Sequence, residues 1–174
     1  MIISLIGMMG CGKSSVGKEL SECLGCLFTD LDEEIEKAAG RSIPEFFASE
    51  GEAAFRKMEL SVLQGIIKKD NPGGYRILAC GGGTPLIPAA ASLLKEHTLC
   101  IYLQASAETL EKNLGLSDGG SDPSRPLLAE GGAEKLRKLL EERESVYIGT
   151  ASTVLPTDGA TLQEIADEII ITCL

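Results

Sequence analysis

Positive charge is scarce in this sequence: 16 Lys and Arg residues stand against 26 Asp and Glu, a formal net charge of −10. A balance this acidic argues against nucleic acid or an anionic membrane as partner. It also makes the place of each arginine informative, because an anion bound here has few cations to meet it. No apolar run approaches the length needed to span a bilayer. The apolar opening Met1–Ile6 has neither a basic leader nor a cleavage site, so it does not read as a signal peptide. Histidine occurs once, at His97, and the cysteines are Cys11, Cys23, Cys26, Cys80, Cys100 and Cys173. Cys23-Leu24-Gly25-Cys26 has a ligand-like spacing, but no second pair or histidine cluster accompanies it. The cysteines therefore read as reduced, small apolar residues of a cytoplasmic protein rather than as a zinc site. Internal repeats and domain linkers are missing too, and 174 residues with 44% apolar content suit one soluble domain, 1–174.

What is present begins at Gly7-Met8-Met9-Gly10-Cys11-Gly12-Lys13-Ser14, followed by Ser15. This is G-x-x-x-x-G-K-S, with an apolar strand-like run before it and a helical pattern from Lys13 to Cys26 after it: the strand, turn and helix of a P-loop. Polyphosphate needs several backbone N–H groups directed into one hollow, so side chains must be missing where the chain bends around it. The following helix adds the partial positive charge of its N-terminus. Lys13 can reach the β- and γ-phosphates of ATP, and the Ser14 hydroxyl is placed to ligate Mg²⁺.

The rest of the chain alternates. Leu27–Asp30 reads as a strand, and a helix from Glu33 to Ala39 is stopped by Gly40. Ser42-Ile43-Pro44-Glu45 is a capping box that opens a short helix broken at Gly51, and a longer helix runs from about Glu52 to Lys69. Strands at Ile77–Cys80, Leu99–Leu103 and Thr153–Leu155 are separated by helical patterns at Pro88–Glu96, Ala105–Leu114 and Ala133–Tyr147. A last helix is capped at Thr161-Leu162-Gln163-Glu164. Ser117–Arg125 has no apolar residue to anchor it and is expected to be mobile. Strict alternation implies an α/β fold whose parallel sheet is covered on both faces.

In such a sheet, ligands bind at the carboxyl ends of the strands. The P-loop, Asp30-Leu31-Asp32 and Gly81-Gly82-Gly83 all fall there. Two aspartates two residues apart face one side of an extended chain. One can support the Mg²⁺ shell while the other meets an acceptor hydroxyl as orienter or base; Asp32 could also cap the helix at Glu33, and the position next to the phosphates favours the functional reading. Arg56 lines up with Leu60, Leu63 and Ile67, and Arg143 with Leu136, Leu139, Leu140 and Tyr147, so both lie on or beside an apolar stripe. An inward arginine needs an anion. For Arg56 that is Glu52 or Glu59 on the same helix, or a ligand carboxylate gripped bidentately; spacing alone leaves the choice open. Arg125 closes the mobile segment, as a solvated loop residue or as the cation at the tip of a lid.

The series as a whole resembles the shikimate kinases, in the nucleoside-monophosphate-kinase-like P-loop group. It comprises Gly7 to Ser14, Asp30-Leu31-Asp32, Gly40-Arg41-Ser42-Ile43, Phe47 through Gly51-Glu52 and Phe55-Arg56 to Glu59. Gly81-Gly82-Gly83, Arg125-Pro126-Leu127-Leu128 and Arg143 with Tyr147 follow. The resemblance implies a three-layer α/β/α fold with a five-stranded parallel sheet in the order 2-3-1-4-5 and a lid at about 114–128. It implies transfer of the ATP γ-phosphate to the 3-hydroxyl of shikimate; the default expectation for the assembly is a monomer. The nucleotide would meet Gly10, Cys11, Gly12, Lys13, Ser14, Ser15 and Arg125, with Mg²⁺ at Ser14 and Asp30. Asp32, Arg56, Gly82 and Arg143 would bind shikimate, and Lys13, Asp32 and Arg125 would act in catalysis.

Two family arginines that pack on adenine have no counterpart, since those stretches read Ser117-Asp118-Gly119-Gly120 and Thr157-Asp158-Gly159-Ala160. Backbone contacts and apolar walls are left to hold the base. The nearest alternative is a gluconate kinase, whose acceptor is also a hydroxylated carboxylate. A nucleoside monophosphate kinase fits less well, as does a nucleotide-binding module without turnover, because Lys13, the aspartates and the clamp arginines are all present.

Overall fold

All five residues of β1 (Ile2–Ile6) are buried, which is what a central parallel strand covered on both faces requires. The computed structural model describes residues 1–69, 74–116 and 132–174. β1 is followed by α1 (Lys13–Leu24), β2 (Leu27–Asp30), α2 (Leu31–Ala39) and α3 (Ile43–Lys68). Next come β3 (Arg76–Ala79), a 3-10 turn at Thr84–Leu86, α4 (Pro88–His97) and β4 (Leu99–Gln104). α5 (Ala107–Asn113), α6 (Gly132–Thr150), β5 (Thr153–Pro156) and α7 (Leu162–Cys173) complete the described chain. The strands form one parallel sheet in the order β2-β3-β1-β4-β5, as the resemblance implied. The order changes direction between β1 and its neighbours β3 and β4, so the loop after β1 opens at the sheet's switch point.

Local chemistry sets the element ends. Ser42 and Glu45 form the expected capping box, and Thr161 and Glu164 form a second one at α7. Gly51 has φ 78° and ψ 174° inside α3, so the helix is bent there into the short and long segments that the glycine predicted. One boundary differs with consequence. α2 begins at Leu31, not Glu33, because the Asp30 carboxylate accepts from the Asp32 N–H and caps the helix two residues early. Asp32 is therefore in the first helical turn, not in extended chain, and it is Asp30 that does the capping. Of the lid expected at about 114–128, residues 117–128 lie outside the described residues, and Arg125 with them.

Candidate active site

Between β1 and α1 the chain turns through Gly10 (φ 83°) and Gly12 (φ 88°), a left-handed conformation that suits glycine. Gly12 begins α1 without a side-chain cap, so the first N–H groups of the helix have no side-chain acceptor. Together with Lys13, Ser14 and Ser15 these glycines line a cavity of about 550 Å³. The Lys13 ammonium donates to the carbonyls of Gly7 and Met8, each at 3.0 Å. Of the loop residues expected to meet nucleotide, Cys11 alone does not line the cavity. Its side chain is buried, and its N–H is bonded to the Met8 carbonyl at 3.2 Å.

The start of the turn is a tight point. Gly7 has φ 143°, and a Cβ there would stand 2.7 Å from the Leu103 carbonyl oxygen and 2.9 Å from Cys11 Sγ. Gly7→Ala combines backbone strain with a backbone collision, and a loss of about 2 kcal/mol or more of stability is expected. A lowered urea midpoint tests this, and an unchanged midpoint contradicts the packing described.

Asp30 stands at the junction of loop and sheet. One carboxylate oxygen accepts from Ser14 Oγ at 2.6 Å and the other from the Asp32 N–H at 3.0 Å. Two hard oxygen ligands, hydroxyl and carboxylate, thus meet beside the phosphate loop, a donor set that fits Mg²⁺ completed by water and phosphate. Asp32 is exposed toward the cavity, but its carboxyl has protein on its other sides. Desolvation, then the charges of Asp30 and Glu59, push its pKa up to about 6, with Lys13 pulling the other way.

A second cavity, of about 760 Å³, adjoins the first, and Met9, Asp30, Asp32, Gly81 and Gly82 line both. Its apolar wall includes Ile43, Pro44, Phe47 and Phe55, and its cations are Arg56 and Arg143. Phe47 and Phe55 stack with ring centroids 4.5 Å apart, bracing the bend at Gly51. Arg56 faces both of the helix partners that spacing allowed. Its Nη1 donates to Glu59 at 2.7 Å, while Nη2 and Nε approach Glu52 at 3.2 and 3.4 Å. The two glutamates differ: the Glu59 side chain is 1% exposed and that of Glu52 is 64% exposed. Arg143 is buried one helical turn before Tyr147, and its positive charge acts on the Tyr147 hydroxyl. That hydroxyl donates to the Gly82 carbonyl at 2.7 Å, tying α6 to the glycine stretch after β3. Burial pushes the Tyr147 pKa up to about 12, with Arg143 opposing, so the phenol remains a donor at neutral pH.

The described residues of the expected site therefore converge, with Arg125 outside them. Sequence reasoning missed several neighbours. Asn113 Nδ2 donates to the Gly10 carbonyl at 2.9 Å, and Leu114 and Leu162 join it at the edge of the phosphate cavity. Sequence spacing carries no signal for a bond across 103 residues. Thr84, just past Gly81-Gly82-Gly83, is fully buried and donates to Glu59. In Thr157–Ala160 the Asp158 carboxylate accepts from the Ser106 N–H, so this stretch anchors the start of α5.

A phosphate loop at the switch point of a parallel sheet, opening beside a cavity with two inward arginines, defines a P-loop phosphotransferase of small molecules. A family model described as shikimate kinase matches residues 9–174. The shikimate kinase of Nitrosomonas europaea is 38% identical over 97% of this chain and 76% of its own length. That of Thermus thermophilus is 38% identical over 97% of this chain and 87% of its own. Among solved structures, the shikimate kinase of Acinetobacter baumannii in complex with shikimate superposes with a TM-score of 0.87 at 34% identity, covering 97% of this chain and 90% of that one. The chain belongs to the shikimate kinase family.

Proposed function

We propose that the protein transfers the γ-phosphoryl group of Mg-ATP to the 3-hydroxyl of shikimate. The observation that carries this reading is the pair of adjoining cavities: a phosphate cradle with one lysine meets an acceptor cavity with two inward arginines, across a wall that contains both aspartates. Arg143 and Arg56 grip the shikimate carboxylate, a bidentate match that Lys does not offer. The Gly82 backbone, fixed by Tyr147, borders the same end. Ser14 and Asp30 hold Mg²⁺, which when bound supplies charge neutralisation of the phosphates. Asp32 orients the acceptor hydroxyl and accepts its proton as the oxygen–phosphorus bond forms and the bond to the β-phosphate oxygen breaks. Lys13 and Arg125 stabilise the charge on the phosphoryl group in flight. The base rests against Leu114 and Leu162 with the Asn113 amide beside it. We place the enzyme in the cytoplasm, as a monomeric single domain with residues around Arg125 as its lid.

An ADP-release assay with shikimate, gluconate and nucleoside monophosphates tests the acceptor. Turnover with shikimate is expected, and turnover with gluconate alone overturns the reading. The base assignment carries its own prediction. Asp32 must be unprotonated to accept a proton, and its pKa is raised to about 6. The kcat/KM for shikimate should therefore fall as pH drops through about 6, roughly tenfold per unit well below it. A limb near the ordinary carboxylate range, or none, contradicts the assignment.

A further inference from the structure

The acceptor cavity holds one buried acid that contacts no expected substrate group in the proposal above, Glu59 on α3. Each of its carboxylate oxygens has a separate partner: Oε2 accepts from Arg56 Nη1 at 2.7 Å, and Oε1 accepts from the Thr84 hydroxyl. Glu59 is 1% exposed and Thr84 is fully buried. Oε1 is also crowded. It lies 3.2 Å from the point a Cβ on Gly81 would occupy, and Asp32 Oδ1 lies 2.9 Å from the same point. We propose that Thr84 is a positioning residue for substrate binding, acting through Glu59 to aim the Arg56 guanidinium at the ligand carboxylate. This rests on the shikimate reading and adds the device that sets the clamp.

The physical need is rotational. The terminal torsion of a glutamate is broad and two-fold, so a buried carboxylate with one partner can turn about its last bond. Thr84 stands on the 3-10 turn that follows Gly81-Gly82-Gly83, fixed by its own N–H to the Gly81 carbonyl at 3.1 Å. Its hydroxyl holds Oε1 on the glycine side and leaves Oε2 to Arg56. The other edge of Arg56, Nη2 and Nε, is bonded among the described residues to the exposed Glu52, a partner that an incoming carboxylate can displace. One permanent, buried contact and one exchangeable contact give the guanidinium a defined direction and leave the ligand an edge it can take over from Glu52. Without the Thr84 hydroxyl, Glu59 Oε1 loses its donor inside the protein, and the carboxylate turns toward Arg56 and draws the guanidinium down from the cavity.

Thr84→Val removes the hydroxyl at nearly constant shape. Titration calorimetry with shikimate and, separately, with ATP should show shikimate Kd raised ~10-fold, the scale of a hydrogen bond to a charged group, with ATP Kd unchanged. Thr84→Ser should restore wild-type shikimate affinity. In an Arg56→Lys background, Thr84→Val should cost much less than in wild type, since the effect passes through the guanidinium. Equal shikimate affinity in wild type and Thr84→Val overturns the proposal, as does equal weakening of ATP and shikimate, or full additivity with Arg56→Lys. If Thr84→Val does not fold, the Thr84→Ser and Thr84→Ala pair gives the same comparison, with only the serine keeping wild-type affinity. Absence of shikimate binding by the wild type would instead remove the functional reading itself.

Discussion

Lys13→Met is expected to lower kcat by roughly 10²–10³-fold, the cost of removing one charged donor aimed at charge that develops in the transition state. The ammonium lies at the mouth of the phosphate loop, bonded to two loop carbonyls and so held close to where a γ-phosphate would stand. Methionine keeps the length and apolar stem of the side chain and removes only the charge. Folding should survive, because the bonds lost, to the Gly7 and Met8 carbonyls and Cys11 Sγ, all lie within the phosphate loop. Steady-state kinetics check this: a rise in KM for ATP with kcat unchanged would make Lys13 a binding group only and contradict its catalytic role.

The second large effect falls on the acceptor. Arg143→Ala should raise shikimate Kd by roughly 10²-fold while ATP binding persists, since truncating one member of a desolvated charge pair costs about 2–5 kcal/mol. Arg143 is the cleaner choice of the two arginines. Removing Arg56 also strands the buried Glu59 carboxylate, so part of the loss would be folding stability rather than affinity. Arg143→Lys should recover little, because a lysine offers a point charge where a planar fork is needed. Calorimetric titration with each ligand separates the outcomes. Unchanged shikimate affinity would remove the carboxylate clamp, and equal loss of both ligands would point to misfolding.

Much of this was legible in the residues. The phosphate loop declared itself because its chemistry needs glycines, a lysine and a serine at fixed spacing within one turn. The alternation of strands and helices followed from apolar period and from caps such as Ser42–Glu45 and Thr161–Glu164. Strand order did not follow from local pattern, since pairing of β1 with β3 and β4 is decided by packing across the chain; it came from the resemblance. The same holds for Asn113 on Gly10, Tyr147 on Gly82 and Thr84 on Glu59, contacts 25 to 103 residues apart. The two aspartates show a subtler limit. Their spacing put both at the cleft, but which one caps the helix depends on where α2 starts, and the Asp30 carboxylate settles that by reaching the Asp32 N–H.

Phosphorus NMR of the reaction mixture tests the central claim most directly. With Mg-ATP and shikimate, the account predicts ADP together with one new phosphomonoester signal, coupled to the proton on carbon 3 of the shikimate ring. Release of inorganic phosphate without that signal, or an ester formed at another hydroxyl, would contradict it.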